Sequence, residues 1–251
     1  DFEFFNERAQ KVKKSINEKL INLNTGVYVD GEGSYHSSLH ANFFPLKFGI
    51  VPKNNLNKVL DFVKKRGMAC SPYGAQHFLD ALFKNGESEY GLQLLTSRGD
   101  RSWTHWIYDL GSTITLEAWD FKYKPNMDWN HAWGSAPGNI IAHQVMGIQP
   151  IKPGFESVRI KPQIANTKMA KIKYHTIRGD ILLSIKNDLN KRFYLELNIP
   201  ANMAAEIYFP KYFSNQTIQM NGEEINHIED GNFLVIRNVG SGLKKFKIIE
   251  I

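Results

Sequence analysis

All five tryptophans of this chain fall in one short stretch, Trp103, Trp106, Trp119, Trp129 and Trp133. Interleaved with them are the acids Asp109, Glu117, Asp120 and Asp128 and the histidines His105 and His131. Core tryptophans are normally spread along a chain. Flat aromatics crowded beside carboxylates, on segments that read as loops, suit a sugar. The apolar faces of a pyranose stack on aromatic rings while acids take up its hydroxyls. A tryptophan-rich seam between helices would give the same composition, so the cluster alone leaves both readings open.

The motifs inside the stretch are more specific. Gly111-Ser112-Thr113-Ile114-Thr115-Leu116-Glu117-Ala118-Trp119-Asp120 and Asn130-His131-Ala132-Trp133-Gly134-Ser135 resemble the paired motifs of glycoside hydrolase family 78, the α-L-rhamnosidases. So does Gly147-Ile148-Gln149-Pro150, followed by Pro153-Gly154-Phe155, which in that family leads from the catalytic toroid into a C-terminal β-domain. Thr25-Gly26-Val27-Tyr28 and His40-Ala41-Asn42 are similar in style. The resemblance implies hydrolysis of terminal α-L-rhamnosides with inversion. Two carboxyl groups then lie about 6.5–9.5 Å apart, one protonating the leaving oxygen and the other activating water. By motif position Glu117 is the expected general base, and His131 lines the rhamnose subsite. Trp119 and Trp103 are candidate ring contacts. No metal and no cofactor is expected for this chemistry.

The family's general acid belongs to an upstream acidic motif that this sequence does not contain, and only about half of the toroid's twelve helices are expected. The chain is therefore read as a fragment, inactive alone, whose partners are the N-terminal half of the same polypeptide and a rhamnose-containing glycan or glycoside. It begins at Asp1 without an initiator Met or signal pattern, so any targeting segment is expected outside it. By family analogy the location is periplasmic or extracellular. Two other readings stand beside this one. One is another toroid glycosidase or a polysaccharide lyase, which would want a basic residue near the cluster; Arg98 and Arg101 are nearest. The other is a sugar-binding or packing module that does not cleave.

Other signals are weaker. His36 and His40 share helical spacing but lack the intervening Glu and third ligand of a zinc site. Asp30, Glu32 and Asp128 lack the regular oxygen spacing of a calcium loop. Arg178-Gly179-Asp180 reads as a hairpin turn, and Asn215-Gln216-Thr217 as a chance glycosylation sequon. The single cysteine, Cys70, reads as a buried small residue. The net charge of +6 would suit an acidic polysaccharide or nucleic acid, but the lysines are scattered with no nucleic-acid motif beside them, so the charge reads as a solvated basic surface. No apolar run approaches the roughly 20 residues of a membrane span.

The elements that must carry these residues follow from periodicity. Helical spacing runs from Phe5 to Leu20, Leu39 to Phe48, Leu56 to Val63, Pro72 to Phe83 and around Tyr90 to Leu95, with a further helix from Pro137 to Met146. Ser71-Pro72 is an N-cap followed by an N1 proline. After Pro150 the period shortens to that of strands, with turns at Gly179-Asp180 and Asn221-Gly222. Seven or eight strands are expected, with Tyr174, Tyr194 and Tyr208 in core or inter-domain packing. The fold class is α+β multidomain: residues 1–153 as part of an α/α toroid, a helix-pair array, and residues 154–251 as an antiparallel β-sandwich.

Overall fold

The computed structural model describes residues 1–188, 192–212 and 215–250. Helices come first and strands second. The packing divides the chain into two compact units, Asp1–Pro137 and Gly138–Ile251. This division falls ahead of Pro153, and the first strand begins at Ile148.

The first unit carries α1 (Phe2–Leu20), α2 (Leu39–Lys47), α3 (Leu56–Arg66), α4 (Pro72–Lys84), α5 (Ser88–Leu95) and α6 (Trp103–Tyr108). The helix ends follow local chemistry. Ser71 caps α4 by accepting the Gly74 N–H, with Pro72 at the first helical position where its missing donor costs nothing. Ser38 accepts the Ala41 N–H to start α2, and Gly67 ends α3 at φ 56°. α2 packs on α3 and α4, and α4 on α5. Phe43, Val59, Val63, Phe78, Leu79 and Leu82 are fully buried there. Each such side chain contributes roughly 1.5–3 kcal/mol through lost apolar exposure. α1 differs: it buries no residue, and Phe2, Phe4, Phe5 and Val12 are more than half exposed. α6 is a short helix inside the stretch read as loop.

Two of the early motifs meet in this core. Asn42 is fully buried and clasps Tyr28, accepting its N–H at 2.9 Å and donating to its carbonyl at 3.0 Å. The Tyr28 hydroxyl donates to Asn17 on α1 at 2.6 Å.

A helical run then leads from the first unit to the second. A 3-10 turn (Ala132–Ser135) passes into α7 (Ala136–Ile140) and a π-turn (Ile141–Val145). The strands that follow are β1 (Ile148–Pro150), β2 (Ser157–Ile160), β3 (Met169–Thr176), β4 (Gly179–Asp188), β5 (Arg192–Ile199), β6 (Ala204–Pro210), β7 (Gln216–Met220), β8 (Glu223–Ile225), β9 (Ile228–Asp230), β10 (Phe233–Val239) and β11 (Gly242–Glu250). They exceed the expected seven or eight because β1, β8 and β9 are only three residues long, too short to show alternation.

One sheet has the order β1-β2-β6-β10-β9 and the other β3-β4-β5-β11-β7-β8. The described pairings are antiparallel except β2 with β6, which are parallel. Alternate residues of β4 and β5, Ile181, Leu183, Ile185, Phe193, Leu195 and Leu197, point inward and are buried. Phe193 and Phe246 of one sheet meet Phe209 of the other, with ring centroids 6.3 and 5.3 Å apart, so the two sheets form a sandwich. The turns are as the glycines require: Gly179 at φ 118° opens β4, and Asn221-Gly222 at φ 54° and 96° joins β7 to β8. Tyr208 is buried, but Tyr194 is not core. It is 36% exposed, because it alternates with the buried Phe193 and Leu195 on the outer side of β5.

Candidate functional site

The two motifs of the tryptophan stretch are zipped together along their backbones. Glu117 N–H donates to Asp128 O at 3.1 Å and His131 N–H to Thr115 O at 2.9 Å, while the Thr115 hydroxyl donates to His131 O at 2.7 Å. Gly134 closes the pair. A Cβ there would lie 2.8 Å from Leu116 O and 2.9 Å from Thr115 Cβ, so a side chain has no room. This places Glu117, Asp128 and His131 together, with ligand-type atoms all within 4.8 Å of one another.

Glu117 is held by two donors. Lys124 Nζ pairs with Oε1, and the Asp128 N–H donates to Oε2 at 3.1 Å. Its side chain is 12% exposed. The Lys124 bond first, then the Asp128 N–H, hold its carboxyl below the ordinary glutamate range. The group is thus an anion through the neutral range, able to accept a proton. His131 lies beside it, with its ring 3.9 Å from that of Trp133 and Nδ1 3.8 Å from Asp128 Oδ2.

A cleft of about 500 Å³ opens in front of Glu117. Trp119 and Trp133 line it from the two motifs, Lys124 from the segment between them, Tyr73 from α4, and Arg101 from the segment before α6. Trp133 and Tyr73 are 40% and 55% exposed, their rings 5.1 Å apart, and they form an aromatic wall. Trp119 lines the same cleft but is 2% exposed, its indole N–H donating to Cys70 O at 2.7 Å. Trp103 does not line it. It packs edge-on against Trp119 at 5.0 Å and donates to Gly134 O at 2.7 Å. The exposed stacking surfaces are therefore Trp133 and Tyr73, which motif position alone did not single out. Their signal lies in exposure, since Tyr73 follows an N1 proline and faces outward.

Behind the cleft, α6 fixes the loop from below. The Trp106 indole N–H is shared by the carbonyls of Ala118 and Trp119, both at 3.1 Å. His105, 8% exposed, sits between two carboxylates: Nδ1 at 2.7 Å from Asp109 and Nε2 at 2.7 Å from Asp120. Ionised carboxylates only accept, so bonds at both ring nitrogens favour the imidazolium form. Burial is the largest influence and lowers its pKa, yet the bonds to Asp109 and Asp120 outweigh it and the net direction is upward.

Glu117, Asp128 and His131 are the set among the described residues that gathers metal-ligand atoms. The charge of Glu117 is already met by Lys124. His36 is engaged by Asp30 at 2.5 Å. Cys70 is buried, and burial pushes its thiol up to about 12, which removes it as a nucleophile at neutral pH. No helix among the described residues is long and apolar enough to cross a membrane.

Residues 1–145 match the family model described as the bacterial alpha-L-rhamnosidase 6 hairpin glycosidase domain. Residues 147–223 match that of the bacterial alpha-L-rhamnosidase C-terminal domain. No curated protein matches the chain. Among solved structures, an α-L-rhamnosidase from Dictyoglumus thermophilum is 22% identical with a TM-score of 0.84, over 99% of this chain and 29% of that one. The Streptomyces avermitilis α-L-rhamnosidase complexed with L-rhamnose is 20% identical with a TM-score of 0.78, over 99% and 24%. That from Aspergillus terreus is 19% identical with a TM-score of 0.71, over 98% and 27%. At these identities the likeness is one of fold, and the chain spans less than a third of the length of each of these proteins.

Proposed function

Because the chain belongs to the bacterial α-L-rhamnosidase six-hairpin glycosidase family, we propose that it supplies one half of an inverting α-L-rhamnosidase site, with Glu117 as general base. The observation that carries this is the anchored, ionised Glu117 at the mouth of an aromatic cleft. A general base must be deprotonated at the working pH and fixed within reach of a water. Lys124 and the Asp128 N–H meet both needs, one through charge and one through geometry. Trp133 and Tyr73 present ring faces for the sugar, His131 is positioned against Trp133 as a polar contact, and Trp119 forms the floor. Trp103 acts behind Trp119 as its support.

The general acid is assigned to another part of the polypeptide. Inversion needs carboxyl groups about 6.5–9.5 Å apart with a water between. Asp128 lies within 4.8 Å of Glu117, too close for that arrangement, and Asp109 is bound to His105. The exposed apolar residues of α1 fit a helix that meets others outside this chain. The substrate is a terminal α-L-rhamnoside, and the partner is the N-terminal half of the same polypeptide.

The test is Glu117→Gln in the complete polypeptide, assayed on an aryl α-L-rhamnoside. The amide keeps the acceptor for the Asp128 N–H but cannot take a proton. General-base assistance contributes about 10²–10⁴-fold, so kcat should fall at least that far with KM little changed. A variant keeping a third or more of the parent kcat would remove Glu117 from the role. The isolated chain should show no turnover above background.

A further inference from the structure

The outer face of the six-stranded sheet carries a basic, aromatic-centred surface that the cleft chemistry does not use. Its residues are set by register. Along one line across the strands, Lys186 of β4 pairs with Tyr194 of β5, which pairs with Lys247 of β11. Along the adjacent line, Lys171 of β3 pairs with Ser184, Ser184 with Glu196, and Glu196 with Lys245. Four lysines thus surround one half-exposed tyrosine with a single glutamate among them. Glu196 lies 3.7 Å from Lys245, and Lys247 Nζ is 5.9 Å from the Tyr194 ring. Among the described residues, Lys171 and Lys186 have no ion-pair partner.

The face is grooved rather than flat. A depression of about 390 Å³ is lined by Lys171, Lys186, Tyr194 and Lys245. A second of about 380 Å³ continues it past Tyr194 and Lys245 to Lys247 and Gln219 of β7. Five strands at roughly 4.8 Å spacing give a track of about 19 Å. No two of these lysines stand directly opposite each other, and only Lys245 faces an acid, Glu196, so the sheet tolerates the cluster while most of its charge stays free for a ligand.

We propose that this face is a second binding site, for a carboxylated polysaccharide chain, a polyuronate. The lysines would meet successive carboxylates, and Tyr194 would stack on a pyranose face between them. Arg192 stands exposed on the same face, paired with Asp188 one line beyond Tyr194, so the charges alone do not separate carboxylates from phosphates. The choice of a glycan over other polyanions rests on the glycosidase reading above. The adjoining row, Leu182 and Leu243 on either side of Asn198, is apolar and exposed, so lipid surfaces belong among the controls.

The experiment is affinity electrophoresis of the complete polypeptide in gels containing polygalacturonate, dextran, dextran sulfate or duplex DNA, with flotation on phosphatidylserine vesicles. Retention by polygalacturonate should weaken at least tenfold between 50 and about 500 mM salt, as charge-driven binding requires. Dextran should not retain the protein. The double variant Lys186→Glu, Lys247→Glu should lose retention at least tenfold, and Tyr194→Ser severalfold, with thermal unfolding unchanged from the parent. Equal retention by dextran sulfate, DNA or vesicles, no retention by polygalacturonate, or full retention of the double variant would each overturn the proposal. Aryl rhamnoside hydrolysis is measured in parallel. Retention without hydrolysis refutes the cleft reading alone, and hydrolysis without retention refutes this site alone.

Discussion

If His105 locks the loop that carries Glu117, its removal should damage both stability and catalysis. Asp120 follows Glu117 by three residues and is 17% exposed, so its bond to His105 is sheltered from water. A hydrogen bond to a charged group is worth about 1.5–3 kcal/mol net. Asp109 is 58% exposed, and a pair of that kind contributes only about 0.2–1 kcal/mol. His105→Phe should therefore cost roughly 2–4 kcal/mol. His105→Asn keeps a donor near Asp109 and loses the Asp120 bond, so it should cost nearly as much. Because all five tryptophans lie in this stretch, urea unfolding followed by tryptophan fluorescence reports the cluster directly.

The pH dependence has a defined sign. The folded-state pKa of His105 is raised above its ordinary 6.5. Its stabilisation is fully present below about 6.5 and is lost as pH rises through the raised folded value. The parent should lose stability over that range and the Phe variant should not. Loosening the loop moves Glu117, and a displacement near 1 Å can cost about 10²-fold. kcat/KM for an aryl α-L-rhamnoside should accordingly fall at least tenfold in the complete polypeptide. A Phe variant that unfolds at the parent's urea concentration, with kcat/KM within twofold, would refute the lock.

Three further outcomes follow from the same geometry. Lys124→Met removes the main influence lowering the Glu117 pKa, so the acid limb of the kcat/KM profile should move to higher pH; an unmoved limb would show that Lys124 does not tune the base. Gly134→Ala forces a Cβ against Leu116 O and Thr115, and should destabilise the tryptophan cluster by about 1–3 kcal/mol in urea unfolding and reduce turnover with it. Asn42→Ala strands a buried N–H and carbonyl of Tyr28, each costing about 1–3 kcal/mol; a loss under 1 kcal/mol would mean that water replaces the amide there.

What the sequence determined by itself is what local chemistry encodes. The capping of α4 by Ser71-Pro72, the end of α3 at Gly67, and the turns at Gly179 and Asn221-Gly222 each depend on one or two residues whose backbone preferences are intrinsic. The passage from helix to strand was legible to within a few residues, β1 starting at Ile148 just ahead of the expected change at Pro150, because side-chain periodicity follows backbone geometry. The resemblance of the motifs to those of a known family also pointed to the loop bearing Glu117 and His131. Tertiary structure alone decided which aromatics face outward. Trp103 and Trp119 are drawn into the core by their indole bonds to Gly134 and Cys70, leaving Trp133 and the distant Tyr73 as the open wall. It also decided that His105 bridges Asp109 and Asp120, and that Lys124 meets Glu117. The parallel pairing of β2 with β6 and the basic outer face around Tyr194 belong with these. Such arrangements are set by cross-strand register and by which face of a segment is buried, and both depend on residues far away in the chain.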